Sequence, residues 1–343
     1  MSEMEKNGQL NGSTSELAAH EKLCLESFIQ QCRDRGLLER PTDLSPEDVL
    51  DGLNDEITLL RFLRGRSFDV AGAIKQFEEA QAIRLSVNAV AAYDSMDLGD
   101  FEQSRNMYPH WIGLRTKAGH PICVLDAAYL DHPTISTYSQ QCTTSEATRR
   151  TLVCLDYLPR FVLPLYSAMR DRPNPDTPIS SAVYLVDVET ISFKQAWSIR
   201  GYAQNVTKLL ATCYPEVVDK IYVLNAAPYF AKIWSWLKGW IDPRTAAKIV
   251  IVSPADAFAT LSEAMDIECI PERYGGKSRG DHGMRPSLDS GMKELLGVEE
   301  LPDGPVKWII DQQEKRTAVA VGTKDGEIRR ELLTCNGVKA PNA

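Results

Sequence analysis

The sequence predicts an α/β fold, with a helical N-terminal lobe followed by a lobe built on a largely parallel sheet. Three observations predict it. Apolar residues recur at helical spacing through residues 16–95. Past Pro121, four short runs are rich in β-branched residues and almost wholly apolar, as strands covered on both faces are. Helical stretches separate those runs, and alternation of strand and helix builds a parallel sheet.

The elements follow in order. Residues 1–15 are polar and rich in Gly, Ser and Asn, and read as a disordered tail. Residues 16–36 carry Leu17, Leu23, Leu25, Phe28 and Ile29 at helical spacing. Ser45 before Pro46 reads as a capped helix start. Residues 55–64 place Ile57, Leu60 and Leu63 on one face, and residues 69–87 do the same with Val70, Ile74, Phe77 and Ile83. The four strand runs are 121–127 (PICVLDA), 180–188 (SSAVYLVDV), 220–226 (KIYVLNA) and 247–253 (AKIVIVS). Helices are expected over 145–170 and 192–211, and the proline-rich 171–178 must be a loop. Residues 306–310 and 317–322 are expected to pair as late strands. This divides the chain into a tail (1–15), a helical lobe (16–95), an α/β lobe (96–280) and a C-terminal extension (281–343).

Composition narrows the function. Hydrophobic residues at 43% and charged residues at 25% fit a globular chain and exclude a multi-span membrane protein. A net charge of −9 argues against a nucleic-acid binder, which needs clustered Lys and Arg. Eight cysteines without C-x-x-C spacing and five scattered histidines give no metal site. No G-x-G-x-x-G follows a strand, and Gly276-Lys277-Ser278 fails as a phosphate loop because Pro271 stands where a Gly is required. There is no G-x-S-x-G elbow. Asp187 beside Glu189 reads better as a structural acid at a strand end than as half of an acid–base pair. No catalytic residue is assigned, and the chain is not read as an enzyme.

One segment stands out, residues 228–241 (PYFAKIWSWLKGWI), with three of the six tryptophans within seven residues. Phe230, Ile233, Trp234, Leu237 and Ile241 form one helical stripe, while Trp236 and Trp240 lie on another side. Such a helix is either deep core or meets a nonaqueous surface, where Trp suits the interface and Lys232 and Lys238 can reach lipid phosphates.

Four motifs then fall in order: 58–70 (TLLRFLRGRSFDV), 214–226 (YPEVVDKIYVLNA), 242–251 (DPRTAAKIVI) and 271–277 (PERYGGK). Over roughly residues 50–280 this ensemble resembles the CRAL-TRIO lipid-binding family, in particular the yeast-type phosphatidylinositol/phosphatidylcholine transfer proteins. The resemblance implies a deep apolar cavity floored by the sheet and closed by a mobile helix. The Trp-rich segment takes the gate position, with Phe230, Ile233, Trp234, Trp236, Leu237 and Trp240 as gate and membrane contacts. It implies a headgroup site of Arg66, Glu216, Thr245 and Lys248. Guanidinium and ammonium groups offer charge-assisted donors to a phosphate.

This sequence departs from the family where relatives carry further basic residues. Ser67 follows Arg66, and Val217 follows Glu216. Ala182 and Tyr184 replace the small hydroxyl residues of choline-binding relatives. The implied function is a soluble carrier of phosphatidylinositol, moving it between membranes or presenting it to lipid kinases. No cofactor is expected beyond that lipid. A monomer is expected, cytoplasmic and peripherally bound to Golgi or endoplasmic reticulum membranes, with no nucleic-acid partner. The alternatives are a carrier or sensor of a nonphospholipid ligand (sterol, isoprenoid or haem) and a module acting on a small GTPase.

Overall fold

Five strands form the central sheet of the computed structural model, which describes residues 17–131, 133–136, 142–241, 243–333 and 338–339. The expected tail, 1–15, lies outside the described residues. The strands are β1 (His110–Arg115), β2 (Pro121–Asp126), β3 (Ala182–Asp187), β4 (Val218–Leu224) and β5 (Ile249–Ile251), adjacent in that order. β1 pairs antiparallel with β2, and the remaining pairs are parallel. β2 to β5 are the four apolar runs of the sequence. β1 escaped notice because its Gly113 and flanking polar residues break the apolar run.

The helical lobe holds α1 (Ala19–Asp34), α2 (Glu56–Gly65) and α3 (Val70–Ser86), followed by α4 (Ala89–Ser95) and α5 (Leu98–Arg105). Asp55 caps α2 by accepting the Thr58 N–H at 3.0 Å. The apolar stripes meet edge to face: the Phe77 ring lies 6.2 Å from Phe28 and 5.0 Å from Phe62.

The helix start expected at Ser45 and Pro46 does not form. Only a turn is made, and the chain then bridges to a distant strand. The Val49 N–H donates to the Trp308 carbonyl at 3.1 Å, and the Ile310 N–H to Glu47 at 2.8 Å. The buried Lys307 ammonium meets Asp48 at 2.7 Å and Asp94 at 2.5 Å. Tertiary pairing overrides a local helix signal of a few tenths of a kcal/mol per residue.

The expected helix 145–170 begins as α6 (Thr144–Tyr157), passes through a π turn over Leu158–Val162 and ends as α7 (Leu163–Ala168). Pro159 lacks the N–H that regular pairing needs, so the ladder shifts there. The expected helix 192–211 divides at Ile199 into α8 (Phe193–Ser198) and α9 (Arg200–Cys213). The gate segment is α10 (Phe230–Leu237) with a 3-10 turn over Lys238–Trp240. The short α11 (Pro243–Ala247) leads into β5, and α12 (Ala257–Ala264) covers the far face of the sheet through Ala257 and Leu261 against Val183, Leu185 and Tyr222.

The late pair forms as expected. β6 (Val306–Ile310) runs antiparallel to β7 (Lys315–Lys324), and β8 (Glu327–Leu332) extends the sheet. Trp308 is buried, and its indole N–H donates to the Phe161 carbonyl at 3.1 Å. It belongs to the same apolar core as Phe28 and Phe77, so the late sheet completes the core of the helical lobe.

Candidate functional site

Side chains alternate across each strand, and the face opposite α12 floors a cavity of about 300 Å³. Tyr184, Ile221 and Ile249 pair across β3, β4 and β5 and form one row of that floor, with Val186 beside them. Residues of α9 wall the cavity, and the ends of α2 and α11 form its rim.

Arg66, Glu216, Thr245 and Lys248, from three separate chain segments, all line this cavity. Arg66 closes the C-terminus of α2. Its Nε donates to Gln76 at 2.7 Å, and Gln76 in turn donates to the Ala211 carbonyl at 2.9 Å, so the guanidinium is oriented from α3 and α9 together. The preceding Gly65 permits close packing, since a Cβ there would sit 2.9 Å from the Pro215 side chain. The R-G-R and Y-P-E segments are therefore pressed together. Tyr214 secures the second of them by donating to Asp156 at 2.7 Å, and Arg84 clasps that buried carboxylate with two bonds of 2.7 and 2.8 Å. Tyr214 thus has a structural role.

Glu216 adopts φ 55, a conformation that favours glycine, and its carboxylate stands at the cavity rim. Such strain in a non-glycine residue is a frequent mark of functional sites. The Lys248 ammonium donates to Glu216 at 2.8 Å and to the Val218 carbonyl at 2.6 Å. The Thr245 carbonyl accepts the Lys248 N–H at 3.0 Å, which fixes where the lysine leaves the α11 turn.

The structure adds a residue that sequence reasoning passed over. Arg244 lines the same cavity, donates to the Arg64 carbonyl at 2.8 Å and to the Ser67 hydroxyl, and approaches Glu216 at 3.8 Å. Its only sequence signal was a basic side chain at the variable position of D-P-x-T.

The gate helix lies on the same sheet face. Phe230 and Ile233 are buried against Val188, Ile191 and Val223, in a cluster that also reaches the cavity-floor residues Val186, Ile221 and Ile249. Trp234 and Trp236 are half-buried. The side chains of Leu237 and Trp240 lie outside the described residues. Trp236 stacks on Trp197 at 5.3 Å and lies 5.9 Å from Phe193, both on α8 and both about half exposed. These two aromatics were also missed, because each stands alone in a polar stretch.

Asp187 is structural. It is buried, accepts from Asn225 and Tyr274 at 2.8 Å each, and meets Arg273 at 3.2 Å. The N-A and Y-G-G motifs thereby lock the ends of β3 and β4. Gly276 is needed for close approach, since a Cβ would fall 2.0 Å from the Ile270 carbonyl oxygen.

A helical lobe, a mostly parallel sheet and a helix packed on the sheet face beside a rim-charged cavity define the class of this protein. The CRAL/TRIO domain matches residues 105–276, half of the chain, and the CRAL/TRIO N-terminal domain matches residues 26–79. The chain belongs to the CRAL/TRIO family. It is 24% identical over 272 residues to the SEC14 cytosolic factor of Eremothecium gossypii, covering 79% of this chain and 81% of that protein. The SEC14 cytosolic factor of Candida glabrata is 26% identical, over 75% of this chain and 87% of the relative. The phosphatidylinositol/phosphatidylcholine transfer protein SFH9 of Arabidopsis thaliana is 26% identical over 68% of this chain and 39% of its own length. A solved structure described as the crystal structure of Sfh5 matches with a TM-score of 0.57, over 77% of this chain and 90% of that one, at 12% identity, which supports the fold. None of these names is that of an enzyme.

Proposed function

We propose that this protein binds phosphatidylinositol and carries it between membranes or presents it to lipid kinases, working in the cytoplasm on Golgi or endoplasmic reticulum surfaces. One observation carries the reading: Arg66, Glu216, Thr245 and Lys248 converge on the rim of one cavity whose floor is apolar. That arrangement suits an amphipathic anion, with the phosphate at the rim and the acyl chains on the sheet. A cavity of about 300 Å³ is at the low end for a ligand site. The additional room comes from displacing the gate helix, whose Phe230 and Ile233 occupy the neighbouring stretch of floor. The aromatic surface of α8 and α10 meets the membrane during exchange.

Tyr184 favours a second reading. A phenol ring at the β3 side of the floor suits a flat hydrophobic ligand such as a sterol or tetrapyrrole, and narrows the space for a choline headgroup. Mass spectrometry of ligand extracted from the purified protein separates the two, together with transfer of labelled lipid between vesicles. Phosphatidylinositol is expected in the extract and is expected to be transferred, with little or no transfer of phosphatidylcholine. A sterol or tetrapyrrole in the extract and no phosphatidylinositol transfer would establish the second reading.

A further inference from the structure

We infer that Arg244 is a phosphate-binding residue of this cavity, supplying from α11 a third cation to its rim. The inference rests on the phosphatidylinositol reading and assigns a further residue to the same site. Three facts place it. Arg244 lines the cavity with Arg66 and Lys248, so three cations share a rim with Glu216. Its guanidinium is anchored on the Arg64 carbonyl and on the Ser67 hydroxyl, so it stands over the position a basic residue at 67 would occupy. Its 3.8 Å approach to Glu216 brings it to the residue that also holds Lys248.

Val217, 3% exposed, lines the same cavity beside Glu216 and offers no charge there. Ser67 is exposed and hydroxylic, a suitable support for a neighbour's guanidinium but no substitute for one. A guanidinium presents five donors in a planar fork. The bonds to Arg64 and Ser67 hold its plane at the rim, and a planar guanidinium matches a phosphodiester as a bidentate partner. Charge balance agrees. Arg66, Arg244 and Lys248 against Glu216 and Glu79 leave the lining one positive charge in excess, which a lipid phosphate balances.

The test compares Arg244→Ala with Arg244→Ala/Ser67→Lys. Uptake of phosphatidylinositol is measured from phosphatidylcholine vesicles containing it, and uptake of diacylglycerol from vesicles containing that neutral lipid instead. Thermal unfolding of each variant is followed in parallel. Arg244→Ala is expected to lose about tenfold in phosphatidylinositol affinity with diacylglycerol uptake unchanged. The added lysine is expected to restore the affinity to within about threefold. That rescue separates charge from scaffolding, because a lysine at 67 returns the cation without rebuilding the tether to Arg64. Unchanged phosphatidylinositol affinity in Arg244→Ala would overturn the inference. So would an equal loss for both lipids that the lysine fails to repair, which would make Arg244 a tether only. Wild-type protein that takes up no phosphatidylinositol at all would overturn the reading of the cavity, and this inference with it.

Discussion

Lys248 and Glu216 hold each other at 2.8 Å with about a quarter of each side chain exposed. At that exposure the pair contributes little to folding, about 1 kcal/mol or less. Its weight falls on the ligand. Lys248→Ala leaves Glu216 facing an incoming phosphate with one cation fewer. Phosphatidylinositol affinity should fall at least tenfold, while uptake of diacylglycerol and thermal stability should barely change. An unaltered affinity would reduce Lys248 to a structural partner of Glu216. The opposite balance holds at His110. Its Nδ1–H donates to the Tyr108 carbonyl at 3.1 Å, and its Nε2 accepts the Gly283 N–H at 3.0 Å, so the ring is held neutral. Burial, then the neighbouring His282, push its pKa down to about 3. Above pH 6.5 folded and unfolded states are both neutral. Below that the unfolded chain takes a proton that the folded chain refuses, so stability falls as pH drops from 6.5 towards 3. The loss amounts to about 3 kcal/mol by pH 4. His110→Gln should flatten that dependence in urea unfolding relative to wild type. Identical slopes would show that other groups dominate acid unfolding. The four residues expected at the headgroup site could be named because each sits in a motif, and they line one cavity; Arg244 joins them there only through the way separate chain segments meet.

The gate is an element whose two sides do different work. Burying Phe230 and Ile233 stabilises the closed position by about 1.5–3 kcal/mol each. If the helix gates the cavity as proposed, it opens when a lipid or an apolar surface replaces those contacts. The outer side offers the replacement. Trp236, Trp197 and Phe193 stack above it. Residues 190–215 and 220–241 contain no Asp or Glu but carry Lys194, Arg200, Lys208, Lys220, Lys232 and Lys238, in a chain of net charge −9. Basic residues around interfacial aromatics favour an anionic membrane surface. Trp234→Ala with Trp236→Ala should slow transfer between vesicles several-fold while the fold survives. Trp197→Ala should weaken liposome binding in the same direction. If the double variant unfolds outright and the wild type never binds liposomes, the segment is ordinary core. The sequence revealed this helix through its composition, and it revealed β2 to β5 through their apolar runs. It concealed α8 as a separate element, because the break at Ile199 carries neither Gly nor Pro. It also misled at Ser45, where Asp48 does accept the Ser45 N–H at 3.0 Å, but Val49 then pairs with Trp308 of β6 instead of continuing a helix.

The molecule as a whole closes on itself through its last strands. Residues 281–343 read as an extension because their pattern is polar and short-range, and nothing local says what their apolar residues meet. The partners are far away in sequence. Trp308 stacks on Phe161 at 5.8 Å, and Tyr93 donates to the Val306 carbonyl at 2.6 Å. The buried Lys307 joins Asp48, in the turn before α2, to Asp94 of α4, and Arg330 reaches the same Asp48 at 3.2 Å. Two carboxylates share this buried ammonium, and Arg330 offsets only the charge of Asp48. Lys307→Ala should therefore destabilise by about 3–5 kcal/mol, the cost of leaving buried charge uncompensated. Lys307→Ala combined with Asp48→Asn and Asp94→Asn should recover part of that loss, because the neutral amides no longer repel. Trp308→Ala should cost a similar 3–5 kcal/mol through its cavity and its lost hydrogen bond. If the late sheet shares one core with the helical lobe, both variants lower a single unfolding transition seen equally by tryptophan fluorescence and by circular dichroism. Two transitions, with the upper one untouched by either substitution, would show that the late sheet unfolds independently and that the Lys307 cluster joins separable units.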